Sequence, residues 1–520
     1  MVHVTAARRP ALGWSDLAGC RVGLWGLGAE GAASLRRLRN LGVVPVLVDD
    51  RPQAPSFGGL PVVATTSGGL EALCTCDAVV KSPGISRYRP EAEAVTAAGA
   101  ELCGGLGLWM QEADRARVAC ITGTKGKSTT AALAGHLLRR LGHRCLVGGN
   151  IGRPPWDPEA GDDWDWWIVE TSSFQATDLA SSPPVVAVTS LAPDHLDWHG
   201  SVERYYRDKL SACTQPGAEL TVADGASEEL RRHAALLGPE VRWVDVGDPE
   251  LDGPWVDGLG LPGRHCRRDA LIARACLVAL GVGEAADDAA MAWALEGFRP
   301  LESRFHPIGT VAGVTFVDDS LSTNALPTMA ALEVLVDRPV ALLAGGLDRG
   351  IDYAPLAGAL VDRRVPTLVV TLPPNGARIH AAIDAARDGA AGAGPGEAGA
   401  AGAEPGEGPG EAGAAGAEPG AAGVAGGPAS APTRTAAGRG AAGVAVVDSP
   451  DLGTATATAF DWARPFGGVV LLSPAAPSFG EYRDYRHRAA VFADAMRACA
   501  ARGAGSWAAD RSDAPHAGPR

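Results

Sequence analysis

An α/β fold in three domains is predicted for this 520-residue chain, and three stretches predict it. Arg21–Gly31 and Val118–Leu141 each read as a short apolar strand, a glycine turn and then a helical pattern. Leu342–Gly350 reads as a buried strand ending in a glycine turn. Repetition of that order builds parallel sheets covered by helices. The predicted domains are a Rossmann-like N-terminal domain over 1–116, a central P-loop-type α/β domain over 117–300 and a Rossmann-like C-terminal domain over 301–520. Length agrees, since a chain of this size suggests three or four domains.

Composition narrows the function classes. The apolar fraction of 46% is ordinary for globular domains. The net charge of −14, from 46 basic and 60 acidic residues, argues against nucleic acid or an anionic membrane as the main partner. No apolar run reaches the length of a membrane span. Arg8, Arg9 and Pro10 are not followed by an apolar signal region, so a cytoplasmic protein is expected. Ten cysteines are scattered, and only Cys74 and Cys76 lie close in sequence, without a partner pair at zinc spacing. Reduced core cysteines are the expected state.

In the first domain, Gly26, Gly28 and Gly31 fit G-x-G-x-x-G between a strand and a helical pattern from Ala32 to Leu41. A second strand, Val43 to Val48, ends at Asp49 and Asp50, the spacing of a nucleotide-binding Rossmann opening. Lys81-Ser-Pro-Gly-Ile85 follows the strand Ala78–Val80, and its Pro83-Gly84 alone would read as an ordinary turn.

The central domain opens on Ile121-Thr-Gly-Thr-Lys-Gly-Lys-Ser-Thr129. Gly123, Thr124, Lys125, Gly126, Lys127, Ser128 and Thr129 form a shortened phosphate loop, because Ile121 stands where the full pattern wants glycine. Such a loop turns backbone N–H groups and a helix N-terminus toward phosphate, with Lys127 reaching the β- and γ-phosphates and Ser128 a Mg²⁺ ion. Gly148-Gly-Asn-Ile-Gly152 gives a tight approach beside Asn150. The buried strand Trp166–Val169 runs into Glu170-Thr-Ser-Ser-Phe-Gln175. A carboxylate at that strand end faces the ligand crevice and suits a hard cation, or else serves a helix N-terminus. After the strand Val185–Thr189 comes Asp194-His-Leu-Asp197, and fourteen residues beyond His195 comes Lys209. On its own Lys209 reads as a solvated helix lysine. Gly263-Arg-His-Cys-Arg-Arg-Asp269 precedes a helix from Ala270 to Leu280.

In the last domain, Leu301-Glu-Ser-Arg-Phe305 precedes a strand, Val314–Val317, that runs into Asp318-Asp-Ser-Leu-Ser-Thr-Asn324. Gly345-Gly-Leu-Asp-Arg-Gly350 brings Arg349, a residue suited to a carboxylate. Residues 388–443 are almost all Ala, Gly, Pro and Glu and have no apolar face to bury, so they read as a disordered insertion. The strand Val469–Leu472 leads to Ser473-Pro-Ala-Ala-Pro-Ser478, and a disordered tail is expected over 503–520.

Together these motifs resemble the Mur ligases, relatives of the folylpolyglutamate synthases, and within them the MurD-like branch that adds glutamate. The resemblance runs from about residue 20 to 500, apart from the insertion. It implies ATP and Mg²⁺ as cofactors and UDP-N-acetylmuramoyl-L-alanine and glutamate as substrates, joined through an acyl phosphate. Gly26 and Gly28 would then hold the UDP and Asn150 lie near the muramoyl part, with Ser173 also binding substrate. Ser128, Glu170 and His195 would ligate Mg²⁺, joined by Lys209 if carbamylated, with Lys127, His195 and Lys209 catalytic. Arg304 and Asp319 would serve ATP, and Arg349 and Ser473 the glutamate. Four departures stand out. Lys125 and Leu321 replace the usual Asn and Lys, the Gly263 motif carries Cys266 and Asp269 for two asparagines, and Ser473–Ser478 differs from the common loop. The departures around glutamate resemble a branch that adds L-glutamate and leaves a separate epimerase to act on the product. Ordinary D-glutamate addition, another ligase of the family and a non-catalytic nucleotide binder remain the alternatives.

Overall fold

A computed structural model describes residues 11–260, 263–299, 301–392, 443–478 and 480–509. They form two compact units. The first, within Met1–His306 with Ala330–Val334, contains two six-stranded sheets. The second, within Pro307–Met329 and Leu335–Arg520, is built on a third six-stranded sheet.

The first sheet comprises β1 (Val22–Trp25), β2 (Val46–Asp49), β3 (Ser56–Phe57), β4 (Leu60–Ala64), β5 (Ala78–Lys81) and β6 (Glu101–Gly104). Their order is β3-β4-β2-β1-β5-β6, parallel except for the β3–β4 pair. β1 and β5 are buried throughout and read as apolar runs apart from Lys81, whose Nζ donates to Asp178 Oδ2 at 2.6 Å. The chain reverses direction across the sheet between β1 and β5, and there the glycine turn sits. Gly26 has φ +89°, and Ser82 Oγ donates to its carbonyl at 2.7 Å. The helix Ala29–Asn40 follows. A Cβ on Gly31 would run into the Gly26 carbonyl oxygen, so the third glycine lets helix and strand close together.

The second sheet comprises β7 (Val118–Thr122), β8 (Cys145–Gly149), β9 (Trp166–Glu170), β10 (Val185–Val188), β11 (Leu220–Asp224) and β12 (Val241–Val244). All its pairs are parallel, in the order β12-β11-β10-β7-β9-β8. Central β7 thus lies between β9 and β10. The registers Ile121↔Glu170 and Thr122↔Val188 bring three strand ends level. The phosphate loop, Glu170 and the Asp194-His195 stretch leave the sheet from those ends.

The third sheet comprises β13 (His306–Val311), β14 (Val314–Asp318), β15 (Val340–Gly345), β16 (Thr367–Leu372), β17 (Val444–Asp448) and β18 (Val469–Leu472). Its order is β13-β14-β18-β15-β16-β17. The pairings Asp318↔Leu472 and Leu343↔Leu472 put Asp319, Ser473 and the Gly345 turn at one edge.

Two expected boundaries are corrected. The helix Gly376–Gly392 extends into the segment assigned to insertion from 388, and the helix Tyr485–Ala509 extends past 503. Both extensions are alanine-rich, and alanine is the strongest helix former. Residues 393–442 and 510–520, the rest of the expected insertion and tail, lie outside the described residues. No disulfide joins any two of the ten cysteines among the described residues. Among the described residues no helix is long and apolar enough to cross a membrane.

Two neighbouring glycines should respond differently to added bulk. Gly31→Ala should destabilise the first unit by about 1–3 kcal/mol, lowering its melting midpoint by several degrees. Gly28→Ala, with open space around its Cβ and φ −72°, should leave that midpoint unchanged in calorimetry.

Candidate active site

The phosphate loop is held by what leaves β10. Gly123 has φ +131°, and a Cβ there would collide with the Thr189 hydroxyl. Lys125 N donates to Ser190 Oγ at 2.8 Å, and Thr124 Oγ1 donates to the Ala192 carbonyl at 3.0 Å. Gly126, at φ +90°, starts the helix Lys127–Arg140. Lys127 arches back so that Nζ donates to the Thr124 carbonyl at 3.2 Å. Burial pushes its ammonium down to about 8 against the pull of Glu170.

Lys209, which by itself would read as a solvated helix lysine and which the resemblance places at the site, is buried against the loop. It is 2% exposed, its Nζ donates to the Gly123 carbonyl at 3.0 Å, and it lies 5.1 Å from the Tyr205 ring centroid. Helical spacing alone could not show this, because the helix Val202–Leu210 buries that face under the loop. Burial, reinforced by the charge of Lys127, holds the amine well below the ordinary lysine range. An uncharged amine is the nucleophilic form.

Glu170 ends β9 at 1% exposed. Its Oε1 accepts from Asn150 Nδ2 at 2.7 Å, whereas Oε2 is buried with no hydrogen-bond partner. His195 stands at φ +52°, ahead of the short helix Leu196–His199. Burial pushes its imidazole down to about 4 although Asp194 pulls the other way, so the ring is neutral at neutral pH. Burial would raise Asp194, but Lys125, 3.4 Å away, together with His195, Lys209 and Lys127 holds it at about 2.

Among the described residues no three His, Cys, Asp or Glu side chains cluster closely enough to cage a metal. The open Oε2 of Glu170, the neutral His195 and the Ser128 hydroxyl are instead separate donors. That arrangement fits Mg²⁺, which keeps several waters and shares its shell with phosphate.

Arg304 meets the loop, its Nη2 donating to Ser128 Oγ at 2.9 Å. Its Nε is buried and unpartnered, and the residues on either side are left-handed, Ser303 at φ +60° and Phe305 at φ +46°. Such strain in non-glycine residues gathers at ligand sites. Asp269, the departure from asparagine, lies beneath the loop, where a Cβ on Gly126 would be 2.7 Å from its Oδ1. Burial pushes its carboxyl up to about 8. At neutral pH it therefore keeps a proton, and like asparagine it can both donate and accept.

In the second unit, Ser473 Oγ donates to Asp319 Oδ2 at 2.7 Å and lies 2.8 Å from Thr328 Oγ1. Sequence assigned these two residues to different ligands, but the structure joins them, with Ser473 fully buried. Arg349 is exposed on the Gly345 turn. In the first unit Gly28 is exposed and Ser173 is buried.

His199, Asp208 and Tyr88 were missed. Ser173 Oγ lies 3.0 Å from His199 Nε2, His199 Nδ1 lies 2.7 Å from Asp208, and Tyr88 donates to Asp208. The available signal was the spacing of His195 and His199, which puts both on one side of a helical turn.

A family model described as Mur ligase middle domain matches residues 121–240, and one described as Mur ligase MurD-like, N-terminal domain matches residues 21–104. A protein of Xanthomonas axonopodis pv. citri named UDP-N-acetylmuramoyl-L-alanine--L-glutamate ligase is 37% identical, covering 92% of this chain and 95% of that one. A protein of the same name from a Micromonospora species is 35% identical, covering 93% and 98%. Among solved structures, the UDP-N-acetylmuramate-alanine ligase MurC of Thermotoga maritima aligns with a TM-score of 0.49 at 16% identity, covering 92% of this chain and 99% of that one. With such identity across nearly its whole length, the chain belongs to the Mur ligase family, in its MurD-like branch.

Proposed function

We propose that this Mur ligase joins L-glutamate to UDP-N-acetylmuramoyl-L-alanine in the cytoplasm, as a step of peptidoglycan precursor synthesis. As a member of its family it is an ATP-dependent, ADP-forming ligase. The carrying observation is the meeting of the phosphate loop, Glu170 and buried Lys209 at one edge of the second sheet. The names of the relatives supply the substrates.

In this reading the glycine turn at Gly26 and Gly28 receives the UDP, while Asn150 and Ser173 border the muramoyl part. The substrate carboxylate attacks the γ-phosphorus, ADP departs, and an acyl phosphate forms. The glutamate amine then adds to the acyl carbon, and phosphate leaves from the tetrahedral intermediate. Lys127, arched over the loop, neutralises charge on the transferring phosphoryl group, and Arg304 presents its unpartnered Nε to the same phosphates. Mg²⁺ would supply further neutralisation, held by Ser128, Glu170 and His195, with Lys209 joining if carbamylated. Asp319 serves the nucleotide, and Arg349 and Ser473 belong to the glutamate side, with Ser473 bonded to Asp319. L-Glutamate is supported by Lys125, Leu321 and the altered Ser473–Ser478 loop, as well as by the relatives' names. A product ending in L-glutamate calls for an epimerase as the next enzyme.

Phosphate release should be measured with ATP, Mg²⁺ and UDP-N-acetylmuramoyl-L-alanine, adding each glutamate enantiomer separately. Release that depends on L-glutamate is expected. Dependence on D-glutamate would overturn the enantiomer, and release with neither would overturn the acceptor. Glu170→Gln should raise the Mg²⁺ concentration for half-maximal rate by about 10-fold or more. Lys127→Ala should lower kcat by about 100-fold or more.

A further inference from the structure

We propose that His199 is a positioning residue that fixes the segments bearing Glu170, His195 and Lys209 relative to one another. The proposal rests on the reading of those three as the metal–nucleotide site. His199 is fully buried at the end of the helix Leu196–His199. Its Nδ1 lies 2.7 Å from Asp208 Oδ2 and its Nε2 lies 3.0 Å from Ser173 Oγ. Tyr88 Oη donates to the other Asp208 oxygen at 2.8 Å.

Each contact reaches a different segment. Ser173 lies three residues beyond Glu170, Asp208 directly precedes Lys209, and the His199 amide donates to the His195 carbonyl at 3.1 Å. One residue therefore links all three segments, its imidazole reaching two of them and its backbone amide the third. A carboxylate only accepts, so Nδ1 donates to Asp208, and Nε2 pairs with the Ser173 hydroxyl, which can donate or accept. Phe174 packs against the same ring at 5.6 Å and stacks on Trp198 at 4.7 Å, which removes the remaining freedom.

The order Ser–His–Asp is that of a hydrolytic triad, but these groups do other work. Ser173 is 2% exposed and His199 fully buried, which suits a structural relay rather than a nucleophile. What the relay fixes is distance. Errors of about 1 Å in the placement of catalytic groups are enough to cost orders of magnitude in rate. Two nitrogens on a rigid ring join Asp208 and Ser173 at once.

The test is the calorimetric affinity of ADP with and without Mg²⁺. In the wild type Mg²⁺ should tighten ADP. In His199→Gln that Mg²⁺-dependent gain should fall by about 10-fold, while the Mg²⁺-free affinity holds. A general loss of structure would lower both affinities together, and that result overturns the proposal, as does an unchanged gain. If His199→Gln does not fold, Ser173→Ala and Tyr88→Phe, which each remove one outer link, should reduce the gain by smaller factors. An unchanged gain in both would overturn the proposal. A wild type in which Mg²⁺ does not tighten ADP would overturn the metal-site reading itself, and a variant matching a responsive wild type would overturn only the role of His199.

Discussion

The first unit depends on keeping charge in a place with little water. Lys127, Lys209 and Glu170 converge at the end of the second sheet, and removing an ion from water costs several kcal/mol even after relaxation. The observed compromises follow. Lys209 has the Gly123 carbonyl and the Tyr205 ring beside it, and burial with the charge of Lys127 holds its amine well below the ordinary lysine range. Glu170 satisfies one oxygen with Asn150 and leaves the other open. His195 is neutral, and Asp269 keeps its proton under the loop. A triphosphate with its cation is the kind of ligand that such a set of groups accommodates, since it brings both signs of charge at once.

Strand order converts that chemistry into a site. Because β7 lies between β9 and β10, its loop opens between the carboxylate at the end of one neighbour and the Asp194-His195 stretch beyond the other. The glycines at 123 and 126 are required there by positive φ and by the closeness of Thr189 and Asp269. The helix carrying Lys209 then closes over the loop, tied to the first sheet's side by the Tyr88–Asp208 bond.

Much of this was legible in sequence, for a local reason. Strands such as Val469–Leu472 and the glycine loops announce themselves through burial on both faces and through turn chemistry within a few residues. The two alanine-rich helix ends at 392 and 509 were misread because low complexity hides helix propensity. The burial of Lys209 and the union of Asp319 with Ser473 were out of reach, since each depends on groups far apart in the chain. The Tyr88–Asp208 contact spans 120 residues and carries no periodic signal at all. Asp269 looked like a lost asparagine. Only its burial against Gly126 shows that a protonated carboxyl can stand in for the amide.

In the proposed reaction the phosphate loop activates a carboxyl group by phosphorylating it. The most direct measurement is the fate of oxygen-18 placed in the alanine carboxylate of UDP-N-acetylmuramoyl-L-alanine during turnover with ATP and glutamate. An acyl phosphate requires one labelled oxygen of that carboxylate to leave with the phosphate while the other stays in the new amide. Released phosphate carrying the label is the expected result, and product formation with unlabelled phosphate would contradict it.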